Sequence, residues 1–275
     1  MSKSNILTEE EFSRFKPSRR ILEYIEAFGR ESGLENKDIR ILDWGCGRGR
    51  AVLWLRGKGY NAFGIEVDKG PIENAAPLFR TRGHDPAVLQ LLSPNGKTSF
   101  SDDFFHITFS SQVFEHVEDL DGVARELFRI TRGEGIGFHT YPARKHLVEA
   151  HLKMPFIHWL PKNIVRRTLI ALFVLAGREP RWPGLRSPAE KTDAYYRYSI
   201  GKTFYRKQAE TQAVFSRNGF RVSFECINDP LLARYVGSIA KGSAMKTAIN
   251  QILTEFLKVE LLITKPPAGY QNLQK

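Results

Sequence analysis

The chain has little with which to cross-link itself or to cross a membrane. Its 275 residues contain two cysteines, Cys46 and Cys226, too few for the disulfide framework of a small secreted domain. Those cysteines and the seven histidines show no paired ligand spacing, so no metal is expected. The longest mainly apolar run, residues 168–176, is far short of the roughly 18–20 residues that a membrane-spanning helix needs. The first ten residues hold no apolar leader segment, which points to the cytoplasm. No internal repeat or low-complexity tract is present, which removes solenoids and linkers from consideration. What remains is a chain long enough to bury a full core, as one domain with an elaboration.

The most informative stretch is residues 40–50. An apolar pair, Ile41-Leu42, leads to Asp43, and Gly45, Gly47 and Gly49 follow at alternate positions. Glycines in that arrangement let the backbone turn sharply and approach a ligand closely. The helical pattern from Ala51 would place N–H groups at the turn, which favour polar or anionic groups. A dinucleotide fingerprint would need glycine at position 50 or 52, where Arg50 and Val52 stand. Asp43 also argues against a pyrophosphate there, because a carboxylate repels phosphate and attracts an ammonium group. A second strand, residues 61–66, ends in Glu66, placed to accept ribose hydroxyls in a β-α-β unit. Asp68, two residues on, is placed instead to cap the next helix. Cys46 reads as a small packing residue inside the turn rather than a nucleophile.

Three segments in order, Asp-Trp-Gly-Cys-Gly-Arg-Gly from Asp43, Gly-Ile-Glu-Val-Asp from Gly64, and Ser-Ser-Gln-Val-Phe-Glu-His-Val from Ser110, resemble the class I S-adenosylmethionine-dependent methyltransferases. The likeness covers residues 38–142 and lies nearest the small-molecule branch, with its quinone-biosynthesis and surface-polysaccharide enzymes. It implies a doubly wound, mostly parallel, seven-stranded Rossmann-like α/β sheet and S-adenosyl-L-methionine as cofactor. It also implies that Asp43 holds the methionine ammonium, that Gly45, Cys46 and Gly47 line the methionine and ribose through the backbone, that Glu66 binds the ribose, and that Gln112 sits beside the methionine. The chain departs from the family at His106, where an acid is usual, and after the third strand, where Ser93-Pro94-Asn95-Gly96 offers no acid for the adenine amino group. Asn95, Asp102 or a backbone carbonyl remain for that role.

Alternating strand and helix patterns predict strands near 39–44, 60–66, 86–92, 104–110 and 134–140, with two more late in the chain and a helical connection between those two. Residues 9–32 read as a helical element packed outside the sheet. Apolar residues from Val113 to Ile130 recur at helical spacing, predicting one helix over 112–130. The expected organisation is an N-terminal helical element (1–37), the cofactor-binding core (38–142), a helical cap inserted after strand five (143–200), and the C-terminal part of the core (201–275).

Residues 144–207 carry 14 Lys or Arg against 4 Asp or Glu, in a chain whose net charge is +11. Nearly all the excess positive charge therefore sits in the insertion, interleaved with large apolar and aromatic residues. In open α/β sheets that region lies beyond the carboxyl ends of the strands, where ligands bind. Three readings compete: a solvated elaboration, a cap over an anionic acceptor, and a basic amphipathic helix resting at an anionic membrane surface. The leading function is O-methylation of a small-molecule, glycan or lipid-linked acceptor. An RNA or tRNA methyltransferase and a non-catalytic cofactor-binding regulator are the alternatives. An oxygen acceptor needs a general base, and the candidates are His116, His139 and Tyr141.

Overall fold

A computed structural model describes residues 6–224 and 256–267, together with positions 242, 245, 248, 249, 252 and 269. Cys226 and most of the connection before the final strand lie outside the described residues. Seven strands form one sheet: β1 (Arg40–Trp44), β2 (Asn61–Glu66), β3 (Leu89–Leu91), β4 (Phe105–Ser111), β5 (Thr131–Pro142), β6 (Arg221–Phe224) and β7 (Lys258–Thr264). Their order is β3-β2-β1-β4-β5-β7-β6. Neighbours from β3 to β5 pair in parallel, and β7 runs antiparallel to both β5 and β6. The chain winds outward from β1 in both directions, so the reversal of strand order opens a crevice at the carboxyl ends of β1 and β4. Asp43 and the glycine turn leave one of those ends, and Gln112 leaves the other.

The central strands are buried along nearly their whole length, as expected where both faces are covered. One face carries α2 (Arg19–Ser32), α3 (Arg50–Gly57) and α4 (Lys69–Thr81), whose Ile25, Leu53 and Phe79 pack on Ile41, Ile107 and Phe138. The other carries α5 (Leu120–Ile130) and α8 (Gln208–Arg217), whose Leu127 and Phe215 pack with Leu42, Phe105 and Leu261. A third, separate core lies within the segment after β5. There α6 (Ile164–Leu175) and α7 (Pro188–Gly201) bury Ile170, Val174 and Tyr195 against Leu152, Met154 and Ile157.

Three local expectations are corrected. The segment 9–32 is two helices, α1 (Glu9–Ser13) and α2, because Pro17 cannot supply the N–H that a continuous helix needs. The expected helix over 112–130 begins only at Leu120, where the Asp119 carboxylate accepts from the Gly122 N–H at 2.9 Å. Gln112 stands before it with φ of +59°, and Phe114–His116 form a single 3₁₀ turn. Finally, β5 starts at Thr131, directly after α5 and three residues before the strand expected near 134–140, and Gly135 lies at an irregularity inside it. A Cβ on Gly135 would come within 2.9 Å of the Arg132 carbonyl.

Candidate functional site

The glycine turn is held by its own backbone. Gly45 and Cys46 both donate to the Ile65 carbonyl, at 2.8 and 2.9 Å, which fastens the turn to β2. Gly45 has φ of +79°, and a Cβ there would lie 2.5 Å from Val113 Cγ2. Glycine is therefore required twice over, by conformation and by space. At Gly47, with φ of +53°, a Cβ would meet only open space. The Cys46 side chain fills the room left by Gly64, where a Cβ would come within 2.6 Å of its sulfur. Burial raises the Cys46 thiol pKa well above normal, so it stays a protonated packing group.

Glu66, at the end of β2, is spread across the turn. One carboxylate oxygen accepts from the Gly47 N–H at 2.8 Å, and the other accepts from the Val67 N–H at 2.7 Å. Asp68 caps α4, accepting from the Gly70 N–H at 3.0 Å. The division of roles between the two acids thus follows the sequence reading for Asp68 and leaves Glu66 facing the cleft.

Two openings meet at Gly45. A cleft of about 1200 Å³ includes Glu66, Val67, Leu92, Gln112, Val113 and His116. A cavity of about 930 Å³ on the other side includes Phe15, Ser18, Asp43, Gly47 and Ser111. Asp43 is 7% exposed and has no side-chain hydrogen bond among the described residues. Burial, reinforced by the nearby Glu66 carboxylate, raises its pKa to about 8. A buried acid without a partner is costly when charged, and an ammonium group placed beside it supplies the missing counter-charge. The segment between α1 and α2 also borders this cavity, so the N-terminal element covers the site as well as the sheet. Arg48 ties it down through Glu11 at 2.9 Å. Nothing in the spacing of residues 15–18 announced that role.

Gln112 sits in the left-handed region at the end of β4, with its N–H donating to the Thr140 carbonyl at 2.8 Å. Strained backbone of this kind concentrates at functional sites. The two departures noted in the sequence have different outcomes. His106 lies near the amino-terminal end of β4, away from the crevice. There its Nδ1 accepts from the Arg40 N–H at 3.0 Å, and burial lowers its pKa to about 4. Asn95 and Asp102 both border the larger cleft. Asp102 is paired with Arg129 at 2.7 Å, and the Asn95 side chain accepts from the Ser93 hydroxyl and the Lys97 N–H.

Of the three candidate bases, the structure brings only His116 to the cleft. His139 and Tyr141 do not face an acceptor, and that expectation is corrected. β5 continues three residues beyond His139, and its register with β7 turns both side chains into the core. The His139 ring is fully buried, stacks on Phe114 at 4.6 Å, and contacts the Ser110 hydroxyl at 2.9 Å. Burial lowers its pKa to about 3. Tyr141 donates to the Thr211 hydroxyl at 3.2 Å, and burial raises its phenol well above normal. Strand alternation would have signalled this only if the true length of β5 had been known.

His116 belongs to a cluster that linear spacing did not reveal. Its Nδ1 faces the Lys202 carbonyl at 2.6 Å, its Nε2 lies 3.9 Å from Glu115, and its ring meets the His151 ring at 4.7 Å. Glu115 is 1% exposed, and neither carboxylate oxygen has a hydrogen-bond partner. Burial raises its pKa to about 7. His151 Nδ1 contacts Glu149 at 2.9 Å, and Glu149 also accepts from the Tyr205 hydroxyl at 2.6 Å. These groups come from the turn after β4 and from the segment after β5.

Many of that segment's basic side chains are held in place by internal hydrogen bonds. Arg166 is buried and donates to the Ser199 and Leu160 carbonyls. Lys162 reaches the Ile200 and Thr203 carbonyls, Arg206 reaches the Glu118 carbonyl, and Arg167 pairs with Asp193.

A family model described as a methyltransferase domain matches residues 42–138. Methyltransferase GfsG of Streptomyces halstedii is 31% identical over 97 residues, 35% of each chain. The chain thus matches well under half the length of the curated relatives. Among solved structures, an S-adenosylmethionine-dependent methyltransferase from Mesorhizobium loti superposes with a TM-score of 0.51 at 17% identity, covering 87% of this chain and 96% of that one. A geranyl diphosphate C-methyltransferase from Streptomyces coelicolor A3(2), in complex with Mg²⁺, geranyl-S-thiolodiphosphate and S-adenosyl-L-homocysteine, superposes with a TM-score of 0.50 at 13% identity, covering 88% of this chain and 74% of that one. Residues 42–138 thus match a methyltransferase domain, and the doubly wound sheet that carries the glycine turn and the two acids is the fold of these solved methyltransferases.

Proposed function

We propose that the chain methylates an oxygen of a small-molecule, glycan or lipid-linked acceptor that is anionic or membrane-attached. The observation that carries this reading is His116, which borders the cofactor cleft with an unpaired buried acid beside it. When bound, S-adenosyl-L-methionine supplies an electrophilic methyl group on a sulfonium. The chain's own part is to hold it and to aim the acceptor. Asp43 would pair with the ammonium, Glu66 would accept the ribose hydroxyls, and the turn at Gly45, which both openings share, would meet the cofactor through its backbone. Val67, Leu92 and Val113 offer apolar surface for the adenine, and Gln112 marks the methionine end of β4. His116, kept neutral by burial, has the chemistry to accept the acceptor's proton.

Two features support an anionic or membrane-attached acceptor. Arg144, Lys162, Arg166 and Arg206 border a pocket of about 570 Å³, beside Tyr205. Tyr205 joins that pocket to Glu149 and so to the cluster around His116. The outer face of α6 leaves Ile164, Val165, Leu172 and Leu175 between 52% and 72% exposed, a contiguous apolar surface with Arg167 and Arg178 nearby. No helix among the described residues is long enough and apolar enough to cross a membrane, so such contact would be peripheral.

Titration calorimetry with S-adenosylmethionine, comparing the wild type with Glu66→Ala, tests the cofactor site; equal affinities would remove Glu66 from it. Flotation with phosphatidylglycerol-containing vesicles tests the acceptor's setting. Retention on those vesicles and not on pure phosphatidylcholine is the expected result, and no retention on either removes the membrane-attached acceptor.

A further inference from the structure

The structure assigns Glu115, His116 and His151 to a binding site for one divalent transition-metal ion such as Zn²⁺, set at the junction between the turn after β4 and the segment after β5. Their candidate donor atoms all lie within 4.8 Å of one another. Two imidazoles and one carboxylate are the donor set that suits Zn²⁺, Co²⁺ or Fe²⁺, whereas Mg²⁺ and Ca²⁺ select oxygen ligands. Ligand bonds of about 2.0–2.1 Å in a tetrahedral site place donors about 3.3 Å apart, so donors within 4.8 Å of one another close by up to about 1.5 Å on an ion.

Two observations beyond proximity point to a cation. Glu115 is a fully buried carboxylate with both oxygens unpaired, which is the state of a ligand lacking its ion. Each histidine, moreover, is oriented as a metal ligand is oriented. His116 has Nδ1 against the Lys202 carbonyl at 2.6 Å, and His151 has Nδ1 against the Glu149 carboxylate at 2.9 Å. An Nδ1–H donated to a carbonyl or carboxylate fixes the tautomer and leaves Nε2 as the lone-pair donor, the arrangement typical around bound zinc. Glu149 is itself pinned by the Tyr205 hydroxyl and by the His151 and Leu152 N–H groups. It is therefore a positioning residue, not a ligand.

Three protein ligands leave at least one coordination position open. A bound ion takes the Nε2 lone pair, so in the metal-loaded chain His116 is a ligand and not the base; it borders the cofactor cleft, so the open position is available to an oxygen of the acceptor, whose acidity the ion would raise. This last role rests on the oxygen-acceptor reading above; metal binding does not.

The test is Co²⁺ titration of the full-length chain without cofactor or acceptor, read by the visible d–d absorption and by metal analysis after gel filtration. One Co²⁺ per chain, displaced by Zn²⁺, is expected in the wild type. Glu115→Gln and His151→Ala should each weaken binding at least about tenfold, and Glu149→Gln by about 10–100-fold through lost orientation. Melting curves recorded without metal establish that each variant is folded. If a variant fails to fold, wild-type stoichiometry decides. No stoichiometric Co²⁺ in the wild type, or undiminished binding in the folded variants, overturns the assignment. Because the titration contains no S-adenosylmethionine, its failure leaves the cofactor reading intact.

Discussion

The cofactor crevice and the segment over it are built by opposite means. The crevice is a backbone device, with N–H groups of Gly45, Cys46 and Gly47 bonded within a few ångströms of β2 and glycine conformations doing what no side chain could. The segment after β5 is a side-chain device. Its small core of Leu152, Met154, Ile157, Ile170, Val174 and Tyr195 is its own, and buried arginine and paired lysines lock it to itself and to the sheet. A backbone site requires particular residues at particular positions, and so it leaves a motif. A side-chain site requires only that suitable groups arrive together, from any positions.

The first way to break this comparison is His116→Ala, which should cut turnover by about 10²–10⁴-fold, the usual contribution of a positioned base, while leaving S-adenosylmethionine affinity unchanged by calorimetry. A matching loss of affinity would place His116 in the backbone site instead.

Gly45→Ala should do the reverse. It forces a positive φ on alanine, at a cost of about 1–2 kcal/mol, and drives a Cβ into Val113. Cofactor affinity should fall by about a hundredfold, and near-normal binding would mean that the turn is less rigid than its hydrogen bonds imply.

Asp43 gives a pH test. Its pKa in the folded, ligand-free protein is about 8, above its ordinary value of 3.8. The folded state thus holds a proton that the unfolded chain releases, so this group lowers stability as pH rises from about 4 to about 8. Binding a cation needs the ionised form, so S-adenosylmethionine affinity should rise by up to about tenfold per pH unit below 8 and then level off. Asp43→Asn should bind weakly with no such slope. A pH-independent wild type would show that Asp43 does not face the ammonium.

The smallest effect is expected in the outer segment. Replacing Ile164 and Leu172 together by serine removes exposed apolar surface, leaving the fold and S-adenosylmethionine affinity as they were. Flotation with anionic vesicles should drop several-fold, in proportion to the apolar area lost. Unchanged flotation would reassign that face to solvent.

How much of this was legible in the sequence follows the same division. The glycine turn, the acids Asp43 and Glu66 at the strand ends and the doubly wound sheet could be read because each is dictated locally: the glycines by φ and close approach, the acids by their place after apolar runs, the sheet by alternating elements. Asp68 as a helix cap was equally local. His139 and Tyr141 were placed at the acceptor because whether a residue reaches the rim of a sheet depends on where its strand ends, and β5 ends only at Pro142 through its pairing with β7. The helix over 112–130 was drawn too long because apolar spacing does not register the left-handed residue at Gln112. For the basic segment the sequence offered a cap, a membrane-resting helix and a solvated elaboration together, because net charge cannot distinguish an arginine in solvent from Arg166 buried on two carbonyls.

The sequence by itself determined the doubly wound fold, the glycine turn and the acids at its strand ends, since main-chain geometry at a tight turn tolerates few residues. Only the tertiary structure decided the rest. Glu115, His116, Glu149, His151 and Tyr205 span ninety-one positions of chain, and nothing in their spacing joins them. They meet because β4 and the segment after β5 leave the same end of the sheet, and burial there strips Glu115 of water without giving it a partner.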